Sequence, residues 1–230
     1  MGEETIGLIS GTGPQGRGLA MRFAAAGLTV LLGSRKADKA EETTKELNAK
    51  INEYFPGLSF PKIQGVENSF AIRNSTLVML TVPFENAEDT LDSLKTDFQK
   101  GTVFVDVTVP LLFGKGDVQL IEQPSGSGSK QLRKLLPETI PFTGAFKTLP
   151  AHVLEELSLS MDCDTFVFGD SKEAKERLMG TIKRISSLRP LDVGGLSAAA
   201  TVEGMTALLI RVNRKLKSRE GRFQVVGVSE

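Results

Sequence analysis

Two hydrophobic patterns recur along this chain. One is a short, nearly unbroken apolar run of the kind a strand buried on both faces produces. The other is a longer stretch in which apolar residues return every three or four positions, as on one face of a helix. Residues 5–10 (T-I-G-L-I-S) have the first pattern, and Leu19, Ala20, Phe23, Ala24 and Ala26 have the second, with Gly27 as the stop. Residues 28–32 repeat the strand pattern and residues 37–54 form a charged helix, ended by a loop containing Pro56, Gly57 and Pro61. A short strand is predicted at 63–66, a link at 68–73, a strong buried strand at 76–82 closed by Pro83, a helix at 86–94 and a strand at 102–107.

Residues 114–129 are rich in glycine and serine and predict a mobile loop or lid before a short helix at 130–136. A strand at 141–146, a turn into a helix at 147–152, a strand at 166–169 and a surface helix at 172–187 follow. A connector over 188–195 then leads to a long, mostly apolar helix over 196–217. Strand and helix alternating in this way predict an α/β fold, a Rossmann-type doubly wound parallel sheet with a small C-terminal helical lobe. Residues 1–190 would form the dinucleotide-binding domain, and residues 191–230 a lobe and tail over its cleft.

The chemistry starts at the first strand-to-helix junction, where Gly11-Thr12-Gly13-Pro14-Gln15-Gly16 spells G-x-G-x-x-G. In that context the first glycine permits the tight turn, the second lets a pyrophosphate approach the backbone, and the third brings helix and strand together. Pro14 fits the first helical position, where its missing N–H is not needed. At the end of the second strand, Gly33-Ser34-Arg35 stands where NAD-binding chains usually place a carboxylate for the ribose hydroxyl. A hydroxyl and a guanidinium there, with Lys39 about one helical turn further on, favour a 2′-phosphate and therefore NADP(H). The strand ends Thr81-Val82-Pro83 and Thr108-Val109-Pro110 put Val82 and Val109 where ribose and nicotinamide lie in such sheets.

Composition narrows the picture by exclusion. Equal counts of basic and acidic residues, 28 each, give no net charge to attract nucleic acid. The acidic start, Met1 to Glu4, runs directly into a strand, and no apolar stretch is long enough for a signal peptide or membrane span, so a cytoplasmic protein is expected. Cys163 is the only cysteine and His152 the only histidine, so no metal site is expected, and His152 reads as structural. Tyr54, the only tyrosine, has no lysine four residues later, and neither a nucleophile elbow nor a Walker lysine is present. Hydride transfer between two planar rings requires alignment more than it requires an acid, and that chemistry fits what is left. The apolar 196–217 helix predicts a homodimer, or burial of that helix against its own domain.

Taken together, these motifs resemble the NADPH:coenzyme F420 oxidoreductases, to which the cytosolic domain of the STEAP metalloreductases is related. The signposts are residues 11–20, Gly33-Ser34-Arg35, Leu80-Thr81-Val82-Pro83, Ala145-Phe146-Lys147-Thr148-Leu149-Pro150-Ala151, and Leu188-Arg189-Pro190-Leu191-Asp192 with Gly195-Leu196-Ser197. The resemblance implies hydride transfer between NADPH and the deazaflavin coenzyme F420. A related flavin reductase and a non-catalytic NADPH sensor are the alternatives. It places the NADP contacts on Thr12, Gly13, Pro14, Gln15, Ser34, Arg35, Lys39, Val82, Val109 and Ala151, and the acceptor on Lys147, Thr148 and Leu149. Two positions depart from the pattern: Lys147, where His or Asn is common, and Ala200, where some members carry Arg. Lys147 is therefore the candidate catalytic group, an ammonium expected to meet the second ring or the anionic tail of its coenzyme.

Overall fold

The computed structural model describes residues 4–114 and 117–228. The start of the acidic N-terminus, Met1 to Glu3, and Lys115 and Gly116 of the glycine-rich stretch lie outside the described residues. In chain order the first half contains β1 (Thr5–Ile9), α1 (Pro14–Ala25), β2 (Thr29–Ser34), α2 (Ala37–Tyr54), β3 (Gln64–Glu67), α3 (Asn68–Arg73), β4 (Leu77–Leu80), α4 (Ala87–Leu94) and β5 (Val103–Asp106). The second half contains β6 (Leu111–Phe113), β7 (Val118–Leu120), α5 (Gly128–Arg133), β8 (Phe142–Gly144), α6 (Ala151–Glu155), β9 (Cys163–Gly169), α7 (Lys172–Ile182), β10 (Leu188–Asp192) and α8 (Ala199–Lys215).

Eight strands form one sheet in the order β10-β9-β8-β5-β4-β1-β2-β3. From β3 to β8 every pairing is parallel, in the arrangement of a doubly wound dinucleotide fold. β9 runs antiparallel to β8, and β10 is parallel to β9. Alternate side chains of the central strands feed two separate cores, which is why those strands read as unbroken apolar runs. Ile6, Leu8, Met79 and Val105 pack with Phe23 of α1, Leu47 of α2 and Leu178 of α7. Ile9, Val78, Leu80 and Phe104 pack on the other face with Leu91 of α4 and Leu132 of α5. A third cluster, Phe166, Phe168, Ala199 and Val202, seats the start of α8 against β9.

Several local differences separate pattern from structure, among them the surface helix expected over 172–187, which ends at Ile182, and the C-terminal helix expected over 196–217, which runs Ala199–Lys215. The link at 68–73 is a helix, α3, whose Ala71 and Ile72 are buried. The 114–129 stretch, taken for a loop, holds β7, which pairs antiparallel with β6, and the first residues of α5. Leu111-Leu112-Phe113 and the alternating Val118-Gln119-Leu120 on either side of Gly114 and Gly116 in the sequence are a hairpin signal, hidden here by the glycine and serine that follow. β9 begins three residues earlier than expected, at Cys163. The connector at 188–192 is strand β10, whose internal Pro190 argues against a central strand but is tolerated at the edge that β10 forms.

Candidate functional site

The glycine turn sits between β1 and α1, where its two ends are drawn together. The Gly11 N–H donates to the Gly33 carbonyl at 2.9 Å, which ties the turn to the end of β2. A Cβ on Gly16 would lie 2.5 Å from Gly11 Cα, so any side chain there would push α1 off its strand. A Cβ on Gly13 would meet nothing within 4 Å, because Gly13 faces open space at the helix N-terminus. Arg17, next along α1, bonds both oxygens of Glu46 on α2 and also Glu155 on α6. Those Arg17 hydrogen bonds, with a further one from Lys50, pull the Glu46 carboxyl down to about 2.

A cavity of about 810 Å³ opens beside this turn. Thr12, Gly13 and Val82 line its inner end, and Ser34, Arg35 and Lys39 line its outer end together with Lys36. Ser34 is buried, whereas Arg35, Lys36 and Lys39 are exposed, and none of the three ion-pairs with a carboxylate among the described residues. Asn68, at the start of α3, is a residue that sequence reasoning missed. Its side chain accepts from the Ser10 N–H at 2.8 Å and donates to Ser10 Oγ at 3.3 Å, holding Ser10 at φ 54° as the chain leaves β1. Gly33 makes room for it, since a Cβ there would lie 2.7 Å from Asn68 Oδ1.

A second cavity of about 480 Å³ adjoins the first and shares Gly13, Thr81, Val82 and Pro83 with it. Pro14, Gln15, Val109 and Ala151 line it, as do Lys147, Thr148 and Leu149. Its far wall is the face of α8 that carries Thr206, Leu209, Ile210 and Asn213. The turn after β8 is held tightly. Phe146 has φ 60°, its N–H donates to Thr165 Oγ1 at 2.8 Å, and its carbonyl accepts from Gln15 Nε2 at 3.3 Å. Thr148 Oγ1 is buried without a hydrogen-bond partner among the described residues. His152 lines neither cavity.

Lys147 belongs to the cavity wall, but its ammonium is fully buried. Nζ donates to Asp106 Oδ2 at 2.7 Å and to the Thr108 carbonyl, and lies 3.9 Å from Glu203 Oε1. Lys147 is therefore not an exposed loop lysine, and its ammonium is buried beneath the wall instead of being presented to a second ring or an anionic tail. Asp106, Ser129 and Glu203, which complete this cluster, carry no local signal in the sequence. Each is separated from its partners by at least one strand or helix and becomes part of the site only through tertiary packing.

Three comparisons bear on this geometry. The family model described as "NADP oxidoreductase coenzyme F420-dependent" matches residues 5–110. An F420-dependent NADP reductase of Methanocaldococcus jannaschii is 35% identical over 93% of this chain and 94% of its own length. Another, from Methanothermobacter thermautotrophicus, is 33% identical over 98% of this chain and 96% of its own. Among solved structures, a putative F420-dependent NADP reductase from Arthrobacter sp. FB24 superposes with a TM-score of 0.77 at 22% identity, covering 98% of this chain and 100% of that one. At that identity the last comparison supports the fold.

Proposed function

The chain belongs to the coenzyme F420-dependent NADP oxidoreductases, and from that premise we propose that it moves a hydride between NADPH and coenzyme F420 across its two adjoining cavities. The observation that carries this reading is the continuity of the cleft. One end presents three cations, unpaired among the described residues, beside a glycine turn, the other is a slot between the 147–151 turn and α8, and Gly13 and Val82 belong to both. The family chemistry is hydride transfer from nicotinamide C4 to C5 of the deazaflavin ring, and the reverse.

The residues of this chain bind and align. The α1 N-terminus and the open space at Gly13 receive the pyrophosphate, and Arg35 and Lys39 receive the 2′-phosphate, with the Ser34 hydroxyl beside them. Val82, Val109 and Ala151 flank the nicotinamide, and Lys147, Thr148 and Leu149 form the wall against which the second ring stacks. Such a slot lowers the barrier by holding the two rings in register. We assign residues 1–190 to NADP binding and residues 191–230 to covering the cleft. The Lys147 ammonium, paired with Asp106 beneath the wall, holds the 147–149 turn in place against the acceptor.

No helix among the described residues is long and apolar enough to cross a membrane. The reading is of a cytoplasmic homodimer. Leu208 and Val212 of α8 and Leu216 at its C-cap support the dimer, because they recur every four residues and stay exposed. Rapid mixing of the protein with NADPH and oxidised F420 tests the activity. Bleaching of the deazaflavin absorbance is expected, and a trace that stays flat while a flavin is reduced instead would refute the assignment.

A further inference from the structure

Behind the wall of the acceptor slot, four distant segments meet in a cluster closed to solvent. Asp106 comes from the end of β5, Ser129 from α5, Lys147 from the turn after β8 and Glu203 from α8. The residues Asp106, Ser129 and Glu203 are each 0% exposed, as is the side chain of Lys147. Ser129 Oγ lies 2.6 Å from Asp106 Oδ2 and 2.9 Å from Glu203 Oε1. A hydroxyl has one hydrogen to give, so two bare carboxylates against it would leave one of these contacts without a proton.

The shorter contact and the surroundings divide the roles. A separation of 2.6 Å is that of a hydroxyl donating to an ionised carboxylate. Asp106 is also the better compensated of the two acids. Its Oδ2 takes the Lys147 ammonium at 2.7 Å, and its Oδ1 takes the Thr108 N–H at 2.9 Å and hydroxyl at 2.7 Å. Glu203 accepts the backbone N–H groups of Gly128 and Ser129 at 3.0 and 2.9 Å, but at 3.9 Å it is beyond hydrogen-bond reach of the ammonium.

We propose that Glu203 supplies the missing hydrogen to Ser129 and thereby acts as a positioning residue for the hydride acceptor. Its carboxyl donates to Ser129 Oγ, which donates to Asp106, so the cluster contains one cation and one anion and no uncompensated charge. The consequence reaches the slot through α8. Thr206, one turn after Glu203, donates to the Lys147 carbonyl at 3.1 Å, so two anchors within one helical turn set the depth and roll of α8 against the 147–149 wall. None of these anchors borders the outer cavity with its three cations. The inference rests on the acceptor occupying the inner cavity.

The test compares Glu203→Gln, Glu203→Ala and Ser129→Ala with the wild type, using steady-state kinetics for F420 and direct titration of NADPH. Glu203→Ala and Ser129→Ala should raise KM for F420 about tenfold and leave the NADPH Kd within about twofold. Glu203→Gln, whose amide N–H can donate to Ser129 Oγ and whose oxygen keeps the Gly128 N–H but which gives up the Ser129 N–H bond, should recover part of that loss. An infrared band from a protonated carboxyl should be present in the wild type at neutral pH and absent in Glu203→Gln. The proposal is overturned if Glu203→Gln is as impaired as Glu203→Ala, if NADPH and F420 weaken in parallel, or if the band is absent. Should Glu203→Ala fail to fold, the other two variants and the band decide. Wild-type turnover of F420 tests the functional reading separately, and the infrared band does not depend on which acceptor binds.

Discussion

Removing the Arg35 guanidinium separates NADPH from NADH more directly than any other single change. Arg35 follows the buried Ser34 at the end of β2 and lines the outer cavity with Lys36 and Lys39. A hydrogen bond involving a charged group contributes roughly 1.5–3 kcal/mol where solvent is excluded. Arg35 is exposed, so the lower end applies, and about 1.5 kcal/mol corresponds to close to a tenfold change in Kd. NADH offers no phosphate at that position and should lose less than about twofold. Nicotinamide fluorescence titration of wild type and Arg35→Ala with both cofactors measures the difference. Raising the ionic strength from about 0.01 to 0.15 M shortens the Debye length from ~30 to ~8 Å and should shrink the NADPH penalty. Equal losses for the two cofactors, or an NADPH loss insensitive to salt, would show that Arg35 is an ordinary surface charge.

Three further outcomes follow from the geometry. Lys147→Met leaves Asp106 buried without its cation, at a cost of about 3–5 kcal/mol, so calorimetry should find Tm lowered by on the order of 10 °C. An unchanged Tm would remove the buried pair from the account, and kinetics of that variant are interpretable only at temperatures where it is folded. Gly16→Ala forces a methyl to within 2.5 Å of Gly11 and should weaken NADPH at least about tenfold by displacing α1, whereas an unaltered NADPH titration would refute the close-packing argument. The Asp164 carboxyl is held below the usual range, first by the Arg189 hydrogen bonds at 2.7 and 2.9 Å and also by the Val225 N–H, against the opposing effect of burial. A depressed carboxyl stabilises the fold fully above its unfolded value of about 3.9 and loses that stabilisation as pH falls through the lower folded value. The Tm advantage of wild type over Asp164→Asn should therefore shrink as pH falls below about 4, and a constant offset would count against it.

The sheet was legible in the sequence because its central strands are covered on both faces. Ile6, Leu8 and Ile9 serve two cores within four residues, and an apolar run is the trace this leaves. Legibility failed where local chemistry opposed the tertiary outcome. Pro190 argues against a strand, yet β10 has a neighbour on one side only. The glycines and serines after Leu120 obscured a hairpin whose paired residues, Leu111 with Leu120 and Phe113 with Val118, are apolar. Asn68 stood in what read as a link, and only the absence of a side chain at Gly33 hints at what fills that space.

The two halves of the site differ in this respect for a physical reason. Phosphate recognition depends on consecutive backbone N–H groups, a helix N-terminus and neighbouring cations, all of which are local, so residues 11–16 and 33–39 announce it. The acceptor wall depends on how α8 lies against the turn after β8. That packing is fixed by Glu203 reaching Ser129, Ser129 reaching Asp106 and Lys147 closing the cluster. In the helical stretch T-V-E-G-M-T, a glutamate reads as solvated surface, and a lysine at a strand end reads as either exposed or aimed at a ligand. Neither reading includes mutual burial, because the partners are brought together only by the folded sheet. Acceptor preference on this scaffold is therefore expected to respond to substitutions that never touch the acceptor, at 106, 129 and 203, while cofactor preference responds to the residues that touch the 2′-phosphate.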